Sequence, residues 1–231
     1  MPNINIIGNC ADCINGWKNF RHLSKEELIF VNDNRFEAAF KPGEIIIKQG
    51  SPASNALFLS QGLAKIYMED VSGKNFVMSI ARPGRMIMGP GAYTDSRHSY
   101  TVSAITPVRA CFISFDVFRH LVRSNGNFAE SMIEDISAKS QKTHNRMVSL
   151  ANKKMPGRLA DALIYFANEV FEADEFEVLL SRQEIGDMTN MAKESVVRIL
   201  KEFSDSHIIE YNSSIIKIID KEKLIMISIK G

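Results

Sequence analysis

The sequence predicts an α+β chain: a strand-rich first half, a long connecting helix, and a small helical unit closed by a hairpin. Three observations carry this. From about residue 36 to 115, short apolar runs rich in β-branched and aromatic side chains alternate with glycines. From Phe128 to about Leu150 the apolar spacing turns helical. The segment "SRQEIGDMTNMAKESVVRIL", Ser181 to Leu200, has the pattern of two short helices with a turn between them.

The first helix is predicted in "HLSKEELIFV", where Ser24 caps the start and Glu27, three residues on, completes a capping box. The runs "KPGEIIIKQG", "NALFLSQGLAKIYMED", "KNFVMSI", "SYTVSAIT" and "VRACFISF" follow, punctuated by Gly43, Gly50, Gly62, Gly73 and Gly84. Short strands at regular spacing with glycine turns indicate a sandwich or barrel. In "NFAESMIEDISAKSQKTHNRMVSL", Phe128, Met132, Ile136 and Met147 share one helical face, which Ser140 and Thr143 interrupt. A helix this long with so thin an apolar stripe lies against something. A partner subunit is the favoured neighbour, its own β-domain the other. "NKKMPG" then breaks the helix. Pro156 suits the first turn of the next, "GRLADALIYFANEVF", in which Leu159, Leu163, Phe166 and Val170 recur at helical spacing. "FEVLLS" predicts a short strand. "HIIEYNSSIIKIID" holds two β-rich runs around Asn212-Ser213, a hairpin signal.

Within the helix pair, Ser181 and Glu184 form a second capping box. Ile185 and Met188 face inward, and Asn190 can take the left-handed conformation that ends a helix. Val196, Ile199, Leu200 and Phe203 should pack inward. The same period turns Glu194, Val197, Arg198 and Lys201 outward, with Lys193 beside them. A short helix delivered by a tight turn is a device for entering the major groove. Arg198 can give two parallel hydrogen bonds to guanine O6 and N7. Glu194 can accept from cytosine N4 or hold the Arg198 guanidinium. Val197 suits a thymine methyl, and Lys193, Ser195 and Lys201 suit phosphates. The alternative is a solvated face on which Glu194 and Arg198 pair at i, i+4.

The 231 residues suffice for about two domains. At 45% hydrophobic and 24% charged, the composition is that of a globular protein. No apolar run approaches the ~18 residues of a membrane-spanning helix. The start "MPNINIIGNC" lacks a basic stretch followed by an apolar one, so no secretion signal and a cytoplasmic location are expected. A net charge of +1 means that a nucleic-acid reader would have to present its basic residues locally. Three cysteines, an odd count, argue against a disulfide framework. There is no G-x-S-x-G, no H-E-x-x-H, no phosphate loop, and Cys111 has no evident His or Asn partner, so an enzyme is not expected.

Against this reading of the residues stands a resemblance. "KPGEIIIKQGSPASNALFLSQGLAKIY" resembles the entry strands and glycine turns of the cyclic-nucleotide-binding β-roll. "GRLADALIYFA" and "SRQEIGDMTNMAKESVVRILKEF" resemble the DNA-binding domain of the CRP/FNR family of bacterial transcription regulators, and Glu194 and Arg198 match its base-contacting Glu and Arg. The resemblance covers nearly the whole chain in the family's order. It implies a β-roll sensor domain with an N-terminal helix over 1–125, a dimerisation helix and hinge over 126–152, and a winged helix-turn-helix DNA-binding domain over 153–231. It also implies a homodimer on a two-fold symmetric duplex site, with RNA polymerase as a further partner and no membrane.

Two departures bear on the effector. The cyclic-AMP-binding members carry a Gly-Glu pair for the ribose and an Arg-Ser pair for the phosphate; here Met88-Gly89 and His98-Ser99 fall at those places. A neutral His is a poor phosphate clamp, so cyclic AMP is not expected. The FNR branch holds a [4Fe–4S] cluster on an N-terminal cysteine group plus one from the β-roll. Cys10, Cys13 and Cys111 match three of those positions, but the remaining one falls at Asn19, and such clusters normally take four thiolates. Asp12, His22 or an exogenous ligand would have to complete it. Otherwise Cys111 is a small buried hydrophobe, and Cys10 with Cys13 a remnant, a zinc site or a thiol pair. Haem is a further sensor option, for which His98 is the one histidine near the expected pocket. Met78, Met86 and Met88 cluster there too, as core filling in preference to an apolar effector site. The competing function is a ligand- or redox-sensing module whose C-terminal domain binds a protein instead of DNA.

Overall fold

The computed structural model describes residues 17–231, so Cys10, Asp12 and Cys13 lie outside the described residues. The chain divides into two compact units, with the boundary inside the long helix between Ser140 and Gln141 and the segment 74–78 grouped with the second. Among the described residues no helix is long and apolar enough to cross a membrane.

A 3-10 turn, Lys18–His22, leads into α1 (Lys25–Asp33). The expected capping box is formed: Ser24 Oγ accepts the Glu27 N–H at 3.2 Å and Glu27 Oε2 accepts the Ser24 N–H at 2.8 Å. Eight strands follow: β1 (Arg35–Phe40), β2 (Ile45–Ile47), β3 (Asn55–Gln61), β4 (Ala64–Glu69), β5 (Asn75–Ala81), β6 (Arg85–Ile87), β7 (Thr101–Ala104) and β8 (Val108–Ser114). They make two four-stranded sheets, ordered β1-β8-β3-β6 and β2-β7-β4-β5. All five glycines that punctuate the strands have φ between +80° and +86°. Gly62, between β3 and β4, is also sterically obligatory, because a Cβ there would lie 2.2 Å from the Pro107 carbonyl oxygen.

The β-unit has two apolar clusters. Leu57, Leu59, Ala64, Val102 and Ala110 are buried in one. In the other, Phe58, Ile113, Phe115, Phe118, Leu121 and Phe128 surround Trp17, whose ring meets Phe118 and Phe128 edge-on at 6.1 and 6.0 Å. Phe115, Phe118 and Leu121 come from α2 (Phe115–Ser124) and Phe128 from α3 (Gly126–Asn152). Each such side chain contributes about 1.5–3 kcal/mol on leaving water. The expected single stripe of α3 divides in the structure. Phe128 and Met132 are buried in the β-unit's own cluster, whereas Ile136 and Met147 are 61% and 62% exposed.

The second unit contains α4 (Met155–Tyr165), which widens into a π turn at Phe166–Val170, then β9 (Glu175–Glu177), α5 (Arg182–Thr189), α6 (Lys193–Asp205), β10 (Ile209–Asn212), β11 (Ile215–Ile218) and α7 (Lys221–Lys230). Pro156 sits in the first turn of α4 as expected, and Leu159, Leu163, Phe166 and Val170 are buried. The sheet order is β10-β11-β9. The strand expected over "FEVLLS" is shorter and begins one residue earlier. β9 pairs with β11 only from Glu175 to Glu177, after which Val178 gives its N–H to Ser214 O at 2.8 Å and the chain leaves the sheet. Helix α7 was not expected. Asp220 starts it by accepting the Lys223 N–H at 2.8 Å, and Leu224 is its buried anchor.

Candidate nucleic-acid interface

The helix pair is built from local rules. Ser181 Oγ accepts the Glu184 N–H at 3.2 Å while Glu184 Oε2 accepts the Ser181 N–H at 2.7 Å, which fixes where α5 begins. It ends at Asn190, held at φ 51°, ψ 54°. Met191 then returns its N–H to Gly186 O at 3.0 Å. A Cβ on Gly186 would lie 2.5 Å from Met191 O, so the turn closes only over a bare α-carbon. A glycine inside a helix is the sequence signal for such a close approach. Two guanidinium groups serve the last carbonyls of α5, which a helix leaves unpaired: Arg158 Nη1 donates to Asn190 O at 3.1 Å and Arg146 Nη2 to Met188 O at 2.8 Å. These lie far from α5 in sequence, and no local pattern announces them.

On α6 the inward set is Val196, Ile199 and Leu200, all at 0% exposure, with Phe203 at 4%. Lys193, Glu194, Val197, Arg198 and Lys201 are exposed, and Ser195 is half-buried. Of the roles open to Arg198, the pairing with Glu194 is not the one formed: Arg198 Nη1 donates to Glu202 Oε1 at 2.6 Å, one turn onward. Glu194 lies in the first turn of α6, where the free N–H groups and the helix dipole favour a carboxylate without a cationic partner. The β10–β11 hairpin flanks the pair, its tip at Asn212 and Ser213 exposed.

The family descriptions that match are a cyclic nucleotide-binding domain over residues 37–125 and a Crp-like helix-turn-helix domain over residues 157–227. The chain is 26% identical over 168 residues to the cAMP-activated global transcriptional regulator CRP of Pasteurella multocida, covering 71% of this chain and 80% of that one. It is 25% identical over 195 residues, 80% and 84% of the two chains, to the CRP-like cAMP-activated global transcriptional regulator of Mycobacterium tuberculosis. Among solved structures it shares the fold of FixK2 from Bradyrhizobium japonicum, with a TM-score of 0.77 at 18% identity over 84% of this chain and 96% of that one. The chain belongs to the CRP/FNR family. It is a CRP-like transcription regulator with a helix-turn-helix DNA-binding domain.

Of the four positions at which an effector was expected, Gly89 is buried and Met88, His98 and Ser99 are half-buried. Met88 is half-buried against the Trp17 cluster. Gly89 is buried, and a Cβ on it would meet the Tyr100 ring at 3.3 Å. Burial pushes the Tyr100 phenol well above its ordinary range. His98 is held through its backbone, its N–H donating to Ser51 O at 2.9 Å and its carbonyl accepting the Gly50 N–H at 2.7 Å. Partial burial lowers its imidazole from the usual histidine value, which favours the neutral ring. Ser99 is half-buried beside it. Tyr100 was not singled out by the sequence; nothing local marks an aromatic residue as the one that packs against Gly89.

Cys111 lies on β8, 6% exposed, and Arg35 Nη1 donates to its Sγ at 3.6 Å. Asn19, at the place where a further cluster cysteine was sought, is buried, with its Nδ2 donating to Ser131 O at 3.0 Å. It serves the packing of α3. Among the described residues no three His, Cys, Asp or Glu side chains are grouped to hold a metal ion. Of the remaining histidines, His22 accepts from Arg21 Nε at 3.1 Å and His120 packs on Phe30 at 5.1 Å.

Proposed function

We propose that the chain regulates transcription as a homodimer that reads a two-fold symmetric duplex through the outer face of α6. In this assignment Glu194, Val197 and Arg198 face base edges, while Lys193, Ser195 and Lys201 meet phosphates. The observation that carries it is the division of α6 into a sealed inner face and an open outer one, since a recognition helix must be anchored by one side and free on the other. The exposed Ile136 and Met147 on α3 support pairing with a second copy. Two recognition helices related by a two-fold axis would read half-sites about one turn of duplex apart, roughly 34 Å. RNA polymerase is the expected partner of a bound regulator of this kind.

The curated relatives are named as cAMP-activated, but the effector of this chain is proposed to be something else. The close approach of the Tyr100 ring to Gly89 and the partly buried His98 support this, since a neutral imidazole is a poor clamp for a phosphate. Selection of bound sites from random duplexes, with and without oxygen, tests DNA reading and redox control together. Enrichment of a palindromic sequence is expected, and recovery of unenriched duplexes defeats the assignment. Calorimetry should give no heat with cyclic AMP; micromolar binding overturns the effector reading.

A further inference from the structure

Arg182, the first residue of α5, is turned toward the hairpin. Its Cζ lies 4.9 Å from the centroid of the Tyr211 ring. Its Nε and Nη2 donate to Tyr211 Oη at 3.3 and 2.9 Å, and Nη2 also donates to the backbone oxygen of Ser213. Tyr211 belongs to β10 and Ser213 to the hairpin tip, so one guanidinium grips the hairpin by a ring face, a hydroxyl and a carbonyl. A planar guanidinium is suited to this, because it stacks and forks at once.

The hairpin needs such a hold. Its ribbon pairs over only four positions, from Ile209↔Ile218 to Asn212↔Ile215, and β10 is an edge strand of the β10-β11-β9 sheet. A short edge ribbon frays readily when nothing else fixes it. Ser213 adds to the demand, being held at φ +53°, which a serine adopts at some cost.

Resting on the DNA-reading assignment above, we propose that Arg182 is a positioning residue: through Tyr211 and Ser213 it fixes the wing against the start of α5. The exposed side chains of Asn212 and Ser213 then meet the duplex together with the outer face of α6 as one surface. Amide and hydroxyl groups donate to phosphate oxygens. They carry no charge, so they displace no counterion, whereas a guanidinium placed on a phosphate does. Arg182, engaged with Tyr211 and Ser213, acts on DNA only through the wing.

The test uses the full chain and a duplex recovered by selection. Arg182→Ala and Tyr211→Ala should each weaken binding roughly three- to tenfold, the worth of one or two hydrogen bonds, with the dependence of log K on log salt unchanged. Tyr211→Phe, which keeps the ring packing and loses only the hydroxyl, should fall between them and the native chain. The double variant should bind no worse than the weaker single one, since both changes break the same link. Phosphate ethylation should stop interfering at the wing's phosphates and continue to interfere at those near α6. A salt slope lowered by about 0.9 in Arg182→Ala alone makes Arg182 a direct phosphate contact and overturns the proposal. So do additive losses, unchanged affinities, or interference lost alike at every phosphate. If the native chain binds no duplex at all, the DNA-reading assignment falls and takes this role with it; native binding with unaffected variants removes this role alone.

Discussion

The outer face of α6 and the region around Met88-Gly89 and His98-Ser99 are both places where resemblance to the CRP/FNR family points to function, yet they are built in opposite ways. On α6 the proposed contact residues are exposed, and the packing is done by Val196, Ile199, Leu200 and Phe203 behind them. Around Gly89 the positions are more enclosed: Gly89 is buried with the Tyr100 ring close against its α-carbon, and Met88, His98 and Ser99 are half-buried. An exposed position can carry chemistry on which the fold does not depend. A buried one answers to its neighbours first, and any chemistry must fit the space they leave. Substitutions at the two places should therefore fail in different currencies, specificity at one and stability at the other.

The largest effect is expected behind α6. Ile199→Ala removes a fully buried side chain one residue from Arg198 and should cost about 2–5 kcal/mol in urea unfolding. A loss well below that range would mean that the inner face is not the packed surface described. Next comes Gly89→Glu. The new Cβ would sit 3.3 Å from the Tyr100 ring, so the neighbour must give way and a carboxylate enters a buried place. A cost of about 1–3 kcal/mol is expected, with no gain of cyclic AMP binding in calorimetry. A variant as stable as the native chain that binds the nucleotide would show that the pocket is open and lacks only its carboxylate.

Arg198→Ala should separate the two regions most cleanly. Stability should stay within about 0.5 kcal/mol, as for other exposed surface changes, while discrimination at one base pair falls by about 1–3 kcal/mol. Competition binding against duplexes mutated one pair at a time reads this directly. A uniform loss across all sequences would move Arg198 from base reading to phosphate contact.

What could be foreseen follows the range of the interaction. Both capping boxes span three residues, and both formed where Ser24 and Ser181 announced them. The strand-rich half was legible because its glycines mark each turn, and the inner set of α6 because its period is local. Helix α7 was missed because Ile225, Ile227 and Ile229 are β-branched and alternate as a strand would, while its true signal, Asp220 as a cap, stood alone. Arg182 with Tyr211, Arg158 with Asn190 and Gly89 with Tyr100 were beyond reach. Each pair is brought together by the tertiary fold across a separation that no sequence period encodes. The Arg198 partner was left open by the sequence for a subtler reason. Glu194 and Glu202 are both four residues away, and only the first-turn position of Glu194, where the helix already favours a carboxylate, decides between them.

That pair gives the smallest effect and the finest test. The Arg198–Glu202 bridge has side chains 54% and 51% exposed, so water and salt screen it and it contributes only about 0.3–0.5 kcal/mol to stability. Its influence on binding should have the opposite sign. Glu202 adds a negative charge to a face meant for phosphates and competes for the guanidinium that would read a base. Glu202→Gln should therefore lower stability by that small amount and tighten duplex binding roughly twofold, with base preference unchanged. If binding weakens and the preference opposite Arg198 relaxes, the carboxylate is presenting the guanidinium to the base, and the bridge belongs to the bound state as much as to the free one.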